Sequence, residues 1–175
     1  MKTSKPIHLD FEVDKLTDSI RNTISGDSFT TKVLFLTKTD LKQVTKKNGW
    51  NFTWRSEQAD KTREVFKLTI LNNPGIIQGL VSLSIEPDHV YMHLLENAPF
   101  NLGKEKLYEG VAGNLVAHAC KVSFQHGFDG FVAFTAKTSL IEHYQKTLGA
   151  YILGGSKMII PTDSAKLLVD RYFKS

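Results

Sequence analysis

The sequence predicts a mixed α/β (α+β) sheet, built as an antiparallel meander followed by a β-α-β-α-β run. Three observations carry that reading. The 175 residues are 41% hydrophobic and 23% charged, the balance of one globular domain over 1–175 and not of a disordered chain. Alternating runs between Val65 and Glu96 are broken by two strong turns, Asn72-Asn73-Pro74-Gly75 and Glu86-Pro87-Asp88-His89, as in successive hairpins. Beyond residue 107 the apolar positions take helical spacing, and a glycine ends each of the next two helices before a short strand.

The elements follow in order. Val13, Leu16, Ile20 and Ile24 recur at i+3 and i+4 and Gly26 follows, which predicts a helix from Val13 to Ser25 within an N-terminal helical elaboration over 1–30. Lys32 to Leu36 is β-branched and apolar, hence a strand. Thr39-Asp40 and Lys46-Lys47-Asn48-Gly49 bracket a short helix. Strands are expected at Asn51 to Arg55, Val65 to Leu71, Ile76 to Ile85 and Val90 to Glu96. A helix of about four turns then carries Leu115, Val116, Ala119, Val122 and Phe124 and stops at Gly127. Phe131 to Phe134 is a buried strand, Ser139 to Leu148 a helix ending at Gly149. Tyr151-Ile152-Leu153 and Met158-Ile159-Ile160 are strands around Gly154-Gly155, and Asp163 to Phe173 is a closing helix.

Composition removes several function classes. One cysteine, Cys120, excludes an internal disulfide framework and a cysteine-rich zinc site, and reads as a buried thiol. His89 and His93 are four apart on a strand with no convergent carboxylate, so no metal is expected. No apolar run approaches the ~20 residues that span a bilayer. Met1 to Pro6 has charge without an apolar segment behind it, so no secretory signal is read and a cytoplasmic protein is expected. The net charge is +4, split as +2 over 1–60 and +2 over 61–175, so there is no basic tail and nucleic acid is disfavoured as a partner. No serine sits in a Gly-x-Ser-x-Gly elbow. Trp50 and Trp54 read as core residues.

The informative segment runs from Glu96-Asn97-Ala98-Pro99 to Gly110-Val111-Ala112-Gly113-Asn114. A strand leads through a loop into a long helix opened by small residues. The first amides of a helix lack internal partners and sit at the positive end of its dipole, so they suit a phosphate that small residues allow to approach. Lys104 and Lys106 stand in the loop before them.

This stretch resembles the GNAT superfamily of acyl-CoA-dependent N-acyltransferases. That family's Gln/Arg-x-x-Gly-x-Gly/Ala signature reads here Leu107-Tyr108-Glu109-Gly110-Val111-Ala112, with Leu107 in the Gln/Arg place. A second landmark, aromatic-x-Lys-x-x-Gly, reads Tyr144-Gln145-Lys146-Thr147-Leu148-Gly149-Ala150, one residue longer than usual. Lys137-Thr138-Ser139 stands where an Asn is common. The resemblance covers roughly Ile76 to Leu153. It implies a GNAT-like sheet with a splayed strand pair holding acetyl-CoA as co-substrate. Leu94 and Leu95 would meet the pantetheine, Gly110, Val111, Ala112, Gly113 and Asn114 the pyrophosphate, and Thr138 would also contact the cofactor. Tyr144 would be the acid that protonates the departing thiolate. Glu96, closing the strand beside the splay, would be the base. His93 is the alternate base, although a regular strand would turn it away from Glu96. His118 and His143 read as packed or surface side chains. The implied reaction is N-acetylation of a small-molecule or protein amine by a monomer or homodimer, without a membrane. The alternatives are a non-catalytic GNAT-fold binding or assembly module and a small basic nucleic-acid-associated protein.

Overall fold

The computed structural model describes residues 6–173. Its elements are β1 (Ile20–Asn22), β2 (Ser28–Phe29), β3 (Thr31–Phe35), α1 (Trp54–Ala59), β4 (Glu64–Ile70), β5 (Gly79–Ile85), β6 (Val90–Asn97), β7 (Tyr108–Glu109), α2 (Val111–Gln125), β8 (Val132–Thr135), α3 (Ile141–Leu148), β9 (Tyr151–Gly154), β10 (Lys157–Ile160) and α4 (Thr162–Tyr172). One sheet of seven strands runs β3-β4-β5-β6-β8-β10-β9, and a three-stranded sheet runs β2-β1-β7. Pairing in the large sheet is antiparallel except between β6 and β8, the parallel pair that α2 connects.

The meander strands β4, β5 and β6 are buried on both faces although they alternate in sequence: Lys67, Thr69, Ser82 and Ser84 are buried along with their apolar neighbours. Helix α2 lies on one face. A Cβ at Gly79 would come within 2.9 Å of Leu115 Cδ1 and Val111 Cγ1, so only glycine lets β5 lie so close to α2. The other face is covered by α1 and the turns before it, with Trp50 and Trp54 buried as expected. The helix expected between Thr39 and Gly49 is two 3-10 turns, Asp40–Lys42 and Lys46–Asn48.

Two expected elements differ. Asn51 to Arg55 is not a strand: the chain turns into α1 at Trp54. Val13 to Ser25 is not a helix. Residues 10–19 run as irregular extended chain, and Ile20 begins β1. Leu9, Phe11 and Val13 are buried while Asp10 and Glu12 are exposed, a period of two and not of 3.6. Ile24, counted toward the helical stripe, is 88% exposed at the β1–β2 turn. The Met1 to Pro6 reading lies almost wholly outside the described residues. Among those residues no helix is long and apolar enough to cross a membrane, and no group of three His, Cys, Asp or Glu is placed to hold a metal.

Candidate active site

The parallel strands β6 and β8 pair at two positions, Val90↔Val132 and Tyr91↔Ala133. Beyond them β6 continues to Asn97 hydrogen-bonded to β5, while β8 continues to Thr135 beside β10. The strands therefore part, and Tyr91 Oη and Thr135 Oγ1 are hydrogen-bonded near the point of divergence. Leu94 and Leu95 lie on the β6 wall of the opening, both buried. Helix α2 begins at this level, with Gly110 at its N-cap in a left-handed conformation (φ 89°), and α3 brings Tyr144 to the same region.

The chain's own N-terminal segment enters this opening. Leu9 adds a parallel bridge to Ala136: its N–H donates to Thr135 O (2.8 Å), and Lys137 N–H donates to Leu9 O (2.9 Å). Tyr144 is fully buried. Its Oη donates to Phe11 O at 2.7 Å, with Leu9 O at 3.3 Å, and its ring packs on Phe11 and Phe134. Val13 N–H donates to His143 Nε2 (2.9 Å), so His143 is a strap-holding side chain as well as a packed one.

The strap then crosses the start of α2. Gly110 N–H donates to Asp14 Oδ1 (3.2 Å), and Lys106 Nζ donates to Asp14 Oδ2 (3.0 Å). The backbone of Asp14 is in the open, but its side chain is turned in, 15% exposed. A carboxylate thus sits between a helix-opening amide and a lysine, the surroundings a phosphate would seek. Thr17 N–H donates to Tyr172 Oη (3.1 Å), and Arg171 donates to Leu16 O (2.9 Å). A Cβ on Gly110 would overlap Thr17 Oγ1, and one on Gly113 would overlap Tyr172 Oη. Val111, Ala112, Gly113 and Asn114 are all buried at this corner, and Asn114 Oδ1 accepts from Thr31 Oγ1 (2.7 Å). Leu107 and Thr138 are exposed, and Tyr108 and Glu109 belong to β7, paired with β1 and not left as an open loop. With the strap in place, a diphosphate cannot reach these amides.

Glu96 is buried beneath α1. Its carboxylate accepts from Asn51 N–H (2.7 Å), Phe52 N–H (3.3 Å) and Trp54 Nε1–H (2.8 Å). Of about four lone-pair sites, three are engaged. His93 sits at the β-bulge opposite Ser82 and Leu83. The bulge resets the alternation, so His93 shares the α1 face with Glu96: Glu96 is paired with Leu80, and His93 Nε2 lies 2.7 Å from Ser84 Oγ on the same side of β5. Burial, then Arg63, pulls the His93 pKa down to about 4, so its ring is neutral at pH 7. Burial raises the Tyr144 phenol well above its ordinary value, and Asp10 and Glu12 of the strap add to the shift, so it stays protonated. Burial likewise raises Cys120, an inert thiol inside α2. The strap was hidden from sequence reasoning by its accidental helical spacing. The alternation Leu9, Phe11, Val13 was the signal that could have revealed it.

A parted parallel strand pair, with a glycine-capped helix crossing from one strand to the other, defines the GNAT acetyltransferase fold, and the chain has that fold. Solved structures agree. The AtaT mutant toxin bound to the C-terminus of the antitoxin AtaR and acetyl-CoA is 21% identical, with TM-score 0.55 over 79% of this chain and 97% of that one. A spermidine N-acetyltransferase SpeG chimera from Vibrio cholerae and hSSAT is 15% identical, with TM-score 0.52 over 78% and 99%. The ribosomal-protein-S18-alanine N-acetyltransferase from Escherichia coli is 14% identical, with TM-score 0.51 over 76% and 94%. No family model and no curated protein matches the sequence.

Proposed function

We propose that the chain is an acetyl-CoA-dependent N-acetyltransferase, with a small-molecule or protein amine as acceptor, closed in this conformation by residues 9–17. The observation that carries this is the parting of β6 and β8 after Tyr91↔Ala133, with Tyr144 and the start of α2 facing the opening. A gap between hydrogen-bonding strand edges needs a partner. An extended acyl-pantetheine arm has the right shape and amide chemistry to supply one.

In the reaction the amine nitrogen attacks the thioester carbonyl carbon. The C–N bond forms, the C–S bond breaks, and the thiolate takes the Tyr144 proton. Glu96 has one lone pair left for the proton the amine loses, and His93 stands on the same face. Amides of Gly110 to Gly113 would hold the pyrophosphate, the Asn114 N–H being committed to Gly110 O at 3.1 Å, and the backbone of Leu94 and Leu95 the pantetheine. Thr138, at the exposed approach to α3, would meet the cofactor's outer part.

The magnitudes allow the strap to move. Burying Leu9, Phe11 and Val13 is worth ~1.5–3 kcal/mol each, and its hydrogen bonds ~1 kcal/mol each. Ordering about nine residues costs ~1–2 kcal/mol apiece. These nearly cancel, so the docking free energy is small beside the ~8 kcal/mol of a micromolar ligand.

A second reading, a non-catalytic GNAT-fold binding or assembly module, has its own observation: the Asp14 carboxylate already satisfies the Gly110 amide, and Leu107 supplies no polar group to the loop. Acetyl-CoA binding and Tyr144→Phe separate the two. Acetyl transfer should fall at least tenfold in Tyr144→Phe. Binding should be kept or tightened, because the phenol also holds the Leu9 and Phe11 carbonyls. Undiminished turnover removes Tyr144 as the acid. Failure of wild type and of a strap-released variant to bind acetyl-CoA at millimolar concentration selects the second reading.

A further inference from the structure

Resting on the acetyltransferase reading, we infer that residues Leu9 to Thr17 are a built-in competitor for acyl-CoA, a strap that occupies the pantetheine and pyrophosphate positions and must leave before the co-substrate enters. The match is made group by group. The Leu9 backbone extends the β8 edge at Thr135 and Ala136, where an acyl-pantetheine arm would lie between the parted strands. The Phe11 carbonyl accepts the hydrogen bond of Tyr144 Oη–H, which would otherwise be directed at the thioester sulfur. The Asp14 carboxylate stands at the Gly110 amide with Lys106 beside it, in the place of a phosphate. Thr17 and Leu16 close over Gly110 and Gly113. One continuous segment thus blocks acid, thioester and diphosphate positions together. None of its holding contacts is covalent: three backbone N–H groups, Leu9, Val13 and Thr17, anchor it to β8, α3 and α4 in turn. Burial and the strap's Asp10 and Glu12 also keep the Tyr144 phenol a poor proton donor, so release of the strap would improve the acid as well as open the cleft.

The test uses the full chain. Phe11→Ala/Asp14→Ala removes one apolar anchor and the phosphate-like carboxylate while leaving Tyr144 and the α2 amides intact. Its Kd for acetyl-CoA should be at least tenfold lower than that of wild type. Hydrogen exchange read by NMR should show the Leu9, Val13 and Thr17 amides losing protection as acetyl-CoA binds. Equal affinity in both proteins, with those amides still protected in the complex, overturns the strap as competitor while leaving the acetyltransferase reading standing. No binding by a variant whose strap amides exchange freely overturns both. Should the variant not fold, wild type at millimolar acetyl-CoA decides: faster exchange at the three amides supports the inference, and unchanged exchange overturns it.

Discussion

Glu96 shows how far one residue can be read from its position. Its place at the end of a strand beside the parting suggested a base. Its environment is set by Asn51, Phe52 and Trp54, more than forty positions away in sequence, and no local pattern reports them. The carboxylate staples the turn before α1 onto β6. Hydrogen bonds to a charged group contribute ~1.5–3 kcal/mol each, and a buried donor left facing an amide group is penalised. Glu96→Gln should therefore lower unfolding free energy by about 2 kcal/mol in a urea titration with the m-value unchanged. A variant as stable as wild type would mean that these three bonds do not anchor α1. The place of Tyr144 on a helix was legible because that helix is a local pattern closed by Gly149. His93 was placed on the wrong face because a bulge is invisible without its partner strand.

At the level of elements, β4 to β6, α2, β8, α3, β10 and α4 were legible to within a few residues, since each has a continuous pattern and a glycine or proline boundary. The strap was not, because Val13 belongs to two patterns, the alternation Leu9, Phe11, Val13 and the helical spacing Val13, Leu16, Ile20, Ile24, and tertiary pairing chose between them: β8 and α3 offered hydrogen-bond partners to an extended chain. The six-residue α1 was missed because so short a helix rests on Trp54 packing and not on propensity. The contact between strap and α2 gives its own prediction. Gly110 has φ 89°, and a side chain there would meet Ser19 O at 2.8 Å and overlap Thr17 Oγ1. Gly110→Ala combines backbone strain with displacement of the strap. It should destabilise the fold by about 2 kcal/mol or more, and its loss should appear first as faster exchange of the Thr17 amide. Wild-type stability with an unchanged Thr17 amide would show that this corner is open rather than filled.

The whole molecule carries buried groups that limit its pH range from both sides. His118 packs between Phe66 and Phe173 with Nε2 buried and unpartnered, and burial, then Lys121, lowers its pKa to about 4. His93 is lowered to about 4 as well. In the unfolded chain both take up a proton near pH 6.5, while the folded protein refuses it until about 4. The unfolded state then binds more protons, so stability is full above about 6.5 and falls as pH drops toward 4, by at most about 1.4 kcal/mol per pH unit for each histidine and by less in practice, because both side chains keep some solvent contact. On the alkaline side Cys120 and Tyr144 have pKa values raised from 9.0 and 10.0 by burial. There the unfolded chain loses protons that the folded one keeps, so stability declines above pH 9. Denaturation midpoints from pH 4 to 10 should form a plateau between about 6.5 and 9 with a slope on each side. His118→Phe keeps an aromatic ring against Phe66 and removes one titrating group, so it should flatten the acid limb and leave the alkaline limb in place. An acid limb as steep in His118→Phe as in wild type would place the acid sensitivity elsewhere.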